Sequence, residues 1–264
     1  MVKQIDRKAL KQDARELVRE AQVSAKGMTL LYLGIIFLLD VAQIFCTDVE
    51  FLSTFLSILT RLMSIVLGAG FVLYAMSIRR GERAEYLTLF DGFSFVGKII
   101  VLSLLVSCLT GLWMLVFIFP AIVIYYRYYF ALYNLYENPE LGILEAMRLS
   151  SRQTFGYKRQ LLLLDLSYLG WIVVATLPSI IYNGIYFTES IRLATEFAQG
   201  SGVMPVVDPS VMLLPDWAWT VLSGVCSMIV APFYLVQRRC VELSYFDTIR
   251  ANPAELPVNP FLPK

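Results

Sequence analysis

Residues 120–171 read PAIVIYYRYYFALYNLYENPELGILEAMRLSSRQTFGYKRQLLLLDLSYLGW. A tyrosine-loaded apolar run ends near Tyr136, a polar stretch follows, and a second apolar run opens after Arg159. Apolar runs of about 20 residues are read as membrane spans. The polar stretch between them carries the marks of a helix over 138–155: Asn138 as N-cap, Pro139 at the first position, Glu140 near the positive end of the dipole, and Gly156 as the stop. The chain therefore leaves a membrane, makes one short polar helix and goes back in.

Composition extends that reading to the whole chain. Of 264 residues, 58% are hydrophobic and only 16% charged, whereas soluble domains carry about 25% charged residues. The pattern predicts an all-α, polytopic membrane protein with six transmembrane helices near 28–46, 55–78, 97–118, 120–136, 160–182 and 217–237. These pair as three hairpins, the third and fourth being so close that a re-entrant pair is the alternative. A basic amphipathic helix over 1–26 precedes them, and 238–264 is expected as a cytoplasmic tail. A faint repeat supports the hairpins: Lys26-Gly27, Gly97-Lys98 and Gly156 with Lys158 stand at three entries, and Pro120, Arg127 and Tyr133 share their spacing with Pro232, Arg239 and Tyr245. Each of those two runs ends near an Asn-Pro pair, Asn138-Pro139 and Asn252-Pro253. Ser57, Thr60, Ser64 and Gly68, and likewise Ser103, Ser107 and Gly111, recur at helical spacing and predict close helix packing.

The positive-inside rule fixes the expected orientation. Seven Lys and Arg precede the first span, and four each fall in 79–98, 137–159 and the tail, so nineteen of 22 lie on one side. Both termini are thereby expected in the cytoplasm of a bacterial cell, with the chain multi-pass in its plasma membrane. The outer connection 183–216 is expected to hold a short helix capped by Thr188 and an apolar segment with Met204, Val206 and Leu213 resting on the outer leaflet. The first 26 residues are expected to lie against anionic head groups of the lipid bilayer, each cation near the surface adding about 1 kcal/mol. The formal net charge of +1 gives no sign of a nucleic-acid partner.

Catalytic chemistry finds little material. The chain has no histidine, the commonest general base and metal ligand. No phosphate loop, nucleophile elbow or metal-ligand cluster occurs, so no enzyme activity, metal or cofactor is expected. Cys46, Cys108, Cys226 and Cys240 are scattered singly and read as packing residues. Charges within apolar runs stand out, because each is costly near a bilayer centre. Asp40 and Arg61 are expected at similar depth, as an ion pair pinning the first hairpin. Arg127 sits among Tyr125, Tyr126, Tyr128 and Tyr129. It is expected either to be tied to Asp165 and backbone carbonyls, or to line with them a polar cavity for an anionic or head-group ligand. Glu145, Arg148 and Arg152 share a helix face that, with Lys158 and Arg159, is a candidate surface for lipid, for a membrane-protein partner or for a second copy of the chain.

Asn138-Pro139, Glu145-Ala146, Ser150 or Ser151, Gly156, Lys158, Leu166-Ser167 and Gly170-Trp171 together resemble the signature of a bacterial integral-membrane family, domain of unknown function (DUF) nine-seven-five. Phe90 to Phe93 and Tyr245-Phe246 are similar to it as well. After Pro120 the chain departs from that pattern, with Ala121 and Ile124 where a Gly and a Lys are expected. No role for that Lys carries over unless Arg127 replaces it. The resemblance implies six helices and supplies no activity. Two functions remain open: a non-enzymatic accessory or scaffold protein engaging lipids or a membrane partner, and a transporter or channel for a small anion or lipid head group.

Overall fold

The computed structural model describes residues 4–21, 23–46, 49–199, 207 and 211–252. Met204, Val206, Asp48, Asp208, Pro253 and Lys264 lie outside the described residues. Those described are all-helical, with no strand. Four helices are long and apolar enough to cross a membrane. They are α2 (Ala25–Ile44), α3 (Glu50–Arg80), a continuous stretch formed by the 3-10 helix Tyr86–Phe95 and α4 (Val96–Val116), and α11 (Asp216–Val230) running into the 3-10 turn Ala231–Phe233. A fifth crossing results if α9 (Leu169–Ala175) and α10 (Leu177–Ala198), bent by 72° at their junction, count as one. Phe51, Leu115 and Phe119 are each more than four-fifths exposed, an arrangement suited to hydrocarbon and not to water.

Two expected spans are broken. Over 120–136 the chain forms α5 (Ile118–Arg127) and α6 (Ala131–Glu137). Ten residues of α-helix reach only about 15 Å, so α5 folds back along α4 after the one extended residue Phe117. The cause of the break lies far along the chain: the Arg127 carbonyl accepts from the Ser150 hydroxyl at 3.0 Å and the Thr154 hydroxyl at 3.1 Å, and the Phe130 N–H donates to Ser150 Oγ. Those hydroxyls satisfy the terminal groups that a continuing helix would have paired. Over 160–182 the chain forms α8 (Lys158–Leu166), α9 and the start of α10. Pro178 stands in the first turn of α10, where its missing N–H leaves no bond back to α9.

The polar helix α7 runs Ile143–Gln153 behind Gly142, shorter than the 138–155 expected. Asn138 does not cap it; its side chain accepts from the Glu140 N–H in a local turn. Gly156 does follow the helix, at a φ of +79° that favours glycine. Thr188 caps no new helix either, since α10 runs through it and its hydroxyl bonds back to the Gly184 and Ile185 carbonyls.

The core lies at the basic end of the bundle, around α12 (Leu235–Ala251). Residues 238–251 of the expected tail belong to this helix, which buries Val236, Cys240 to Phe246 and Ile249. Against it pack α3, which places Tyr74 and Ala75 there, and the amphipathic α1 (Arg7–Glu20). Asp6 caps α1 by accepting from the Lys8 and Ala9 N–H groups. Part of the basic face of α1 is turned inward: Arg7 donates to the Leu163 carbonyl at 3.0 Å and Lys11 reaches the Ser167 carbonyl, both at the end of α8. Cations there meet the negative end of a helix dipole. Lys8, Arg15 and Arg19 stay exposed.

Backbone contact fastens the 86–95 stretch to α3. A Cβ built on Gly70 would lie 1.8 Å from the Leu89 carbonyl oxygen, and one on Gly92 2.4 Å from that of Val66. The close approach is therefore at Gly70 and Gly92, whereas Gly111, expected at a packing seam, faces open space.

Candidate functional site

The break between α5 and α6 aims a ladder of tyrosines at α12. From α12, Arg238 and Arg239 precede Glu242 by four and three residues, the helical spacings at which side chains meet. Arg238 Nε donates to Glu242 Oε1 at 2.8 Å and Arg239 Nη1 to Oε2 at 2.7 Å. The Tyr133 hydroxyl donates to the same Oε2 at 2.6 Å. From α8, Asp165 accepts from Arg238 Nη2 at 3.0 Å, the Tyr126 hydroxyl at 2.8 Å and, more weakly, the Tyr129 hydroxyl at 3.5 Å. Two guanidiniums and two carboxylates thus tie α5, α6, α8 and α12 into one neutral network.

Glu242 is fully buried, and burial alone would push its carboxyl up. Arg239, Arg238 and the Tyr133 hydroxyl outweigh that and hold it below the ordinary carboxylate range. An ion this deep persists only when its partners are all in place. Asn134 and Gln153 add a reciprocal amide pair, both bonds 3.0 Å, that clamps α6 to α7.

Beside the network is a cavity of about 280 Å³, walled by Ser103, Val106 and Ser107 of α4, by Tyr125, Tyr128, Tyr129, Leu132 and Tyr133, and by Arg238 and Arg239. Arg239, one of the lining residues, keeps one donor unused: its Nε is buried and has no acceptor among the described residues. An unpaired buried donor costs about 1–3 kcal/mol. The walls therefore offer guanidinium and hydroxyl donors to an oxygen-rich, anionic group.

Of the residues expected at such a site, Tyr125, Tyr128 and Tyr129 line the cavity, and Tyr126 and Asp165 belong to the network. Arg127 does neither. It is exposed, donates from Nε to Ser151 Oγ at 2.8 Å and lies 5.6 Å from the Tyr128 ring. Burial, and then Arg127 nearby, hold the Lys158 ammonium below its ordinary value. Glu145, Arg148, Arg152 and Arg159 are all exposed and enter no ion pair among the described residues. Asp40 and Arg61 feel each other's charge but make no ion-pair contact.

The pairing of Arg238, Arg239 and Glu242 is absent from the sequence reading, in which Arg238 is a topology charge and Arg239 a topology charge and a repeat position. The signal was there in Arg-Arg-x-x-Glu directly after a span, and in the equal spacing of Arg127 and Arg239 in the faint repeat.

Helices this apolar, joined at one end by a buried charge network, define an all-helical membrane protein. Within that class the chain belongs to the protein family of unknown function DUF975, whose model matches residues 118–252. Every residue of the network falls inside the match, while Phe90 to Phe93 lie before it. No curated protein and no solved structure matches the chain.

Proposed function

We propose that the protein is a non-enzymatic accessory protein of the bacterial plasma membrane that holds an anionic lipid head group in the cavity between α4, α6 and α12. In this reading six segments enter the membrane, and both termini and the α12 end face the cytoplasm. The exposed cations of α1 and α7, with Arg159, gather anionic lipid around the site or meet a membrane-protein partner or a second copy. The observation that carries the reading is a cavity that gathers Arg238, Arg239 and four tyrosines beside Val106 and Leu132, with the Arg239 Nε left unpaired. A phosphate oxygen would satisfy it, and guanidinium–phosphate contacts are among the stronger hydrogen bonds.

The test compares melting in nanodiscs of phosphatidylglycerol and of phosphatidylcholine. Phosphatidylglycerol should stabilise the native protein and Arg127→Gln alike. Ser107→Leu fills the cavity without touching the charge network, and it should lose that increment while melting normally in phosphatidylcholine. An increment that survives Ser107→Leu would overturn the proposal.

A further inference from the structure

At the other end of the bundle, a cleft of about 1010 Å³ opens between α2, α10 and α11. Its chemistry is opposite to that of the first cavity: Asp40 and Asp216 are in the lining, and among the described residues no Lys or Arg is. Much of its polar surface is already paired. Gln43 donates to Ser57, the Ser179 and Ser223 hydroxyls share a hydrogen bond, and the Tyr182 hydroxyl donates to Asp216 Oδ1 at 3.3 Å. Two features are not. The Asp40 carboxylate has no hydrogen bond or ion pair among the described residues, and Arg61 of α3 reaches it only through space. The Trp219 indole is 7% exposed, and its buried N–H has no acceptor.

We propose that this cleft binds a small organic ammonium that also carries an oxygen acceptor. The ammonium sits between Asp40, Asp216 and the aromatic faces of Tyr182, Trp217 and Trp219, since carboxylates with π faces are the usual surroundings of a bound ammonium. The oxygen takes the Trp219 N–H, which otherwise bears the cost of an unmade hydrogen bond. Tyr182 and Trp219 hold each other, ring centroids 6.1 Å apart, so the indole is fixed before the ligand arrives. Arg61 tempers the field of Asp40 from outside the cleft. A free amino alcohol and the head group of an ethanolamine lipid share this chemistry.

The test is a titration of tryptophan emission in nanodiscs made of phosphatidylglycerol alone. Ethanolamine should give a saturable change. Tetramethylammonium, which has the charge without the acceptor, should bind about tenfold more weakly, and ethylene glycol, with oxygens but no charge, should give none. Asp216→Asn and Asp40→Asn should each weaken ethanolamine by about tenfold. Trp219→Phe keeps the ring and loses the N–H, so it should abolish the preference for ethanolamine over tetramethylammonium. In discs containing phosphatidylethanolamine, loss of the ethanolamine response with that lipid retained on the protein would identify the lipid as the source; an unchanged response would identify the free amine. A folded protein with no saturable response in phosphatidylglycerol discs overturns the proposal, as does a Trp219→Phe protein that still prefers ethanolamine.

Discussion

Glu242 is the residue on which the basic end depends. Glu242→Gln takes the counter-charge from Arg238 and from the half-buried Arg239, and a denaturation series in detergent should show a loss of about 3 kcal/mol. Tyr133→Phe removes one hydroxyl from the same carboxylate and should cost about 1 kcal/mol. Because the folded protein holds the Glu242 carboxyl below its ordinary value of 4.5, its contribution to stability is complete above that value. It is lost as pH falls through the lower folded value. Glu242→Gln should flatten that part of the acid limb of a melting-temperature profile. Arg127→Gln, by contrast, gives up an exposed hydrogen bond and should cost under about 1 kcal/mol. Sequence alone suggests Arg127 as the cation for Asp165, whereas Arg238 is the one that reaches it. Nothing between Pro120 and Tyr136 reveals that the helix ends at Arg127, because the hydroxyls that end it, Ser150 and Thr154, come more than twenty residues later.

Elements were legible where hydrophobic length alone decides them, and illegible where a distant contact does. The spans at 28–46, 55–78 and 217–237 correspond to α2, α3 and α11, each a long apolar run without an interior competitor. The 3-10 stretch before α4 was missed because it exists by pressing its backbone on α3 at Gly70 and Gly92, a match of two glycines on different elements. That contact makes a graded prediction. Gly70→Ala and Gly92→Ala each force two backbones apart and should cost about 1–3 kcal/mol or more. Gly111→Ala meets only open space and should be neutral or gain up to about 1 kcal/mol from helix propensity. Equal losses at all three, measured by thermal unfolding in one detergent, would remove the special role of the crossing. The tail helix α12 was hidden for a related reason: its residues are apolar and polar all round, a pattern that resolves only when neighbours cover every face.

For the whole molecule, α1 and α12 pack together and α7 joins them through α6, and the proposed orientation puts this end in the cytoplasm. A lone reactive cysteine at exposed position 145 should label only from the cytoplasmic side; labelling from outside alone would reverse the topology. The central claim is that this end holds an anionic lipid, and native mass spectrometry of the protein taken from its own membrane directly into nanodiscs tests it most directly. The account predicts an anionic lipid retained in defined stoichiometry by the native chain and by Arg127→Gln, and lost from Ser107→Leu. A native chain that retains no such lipid, or a Ser107→Leu chain that retains it equally, would contradict the account.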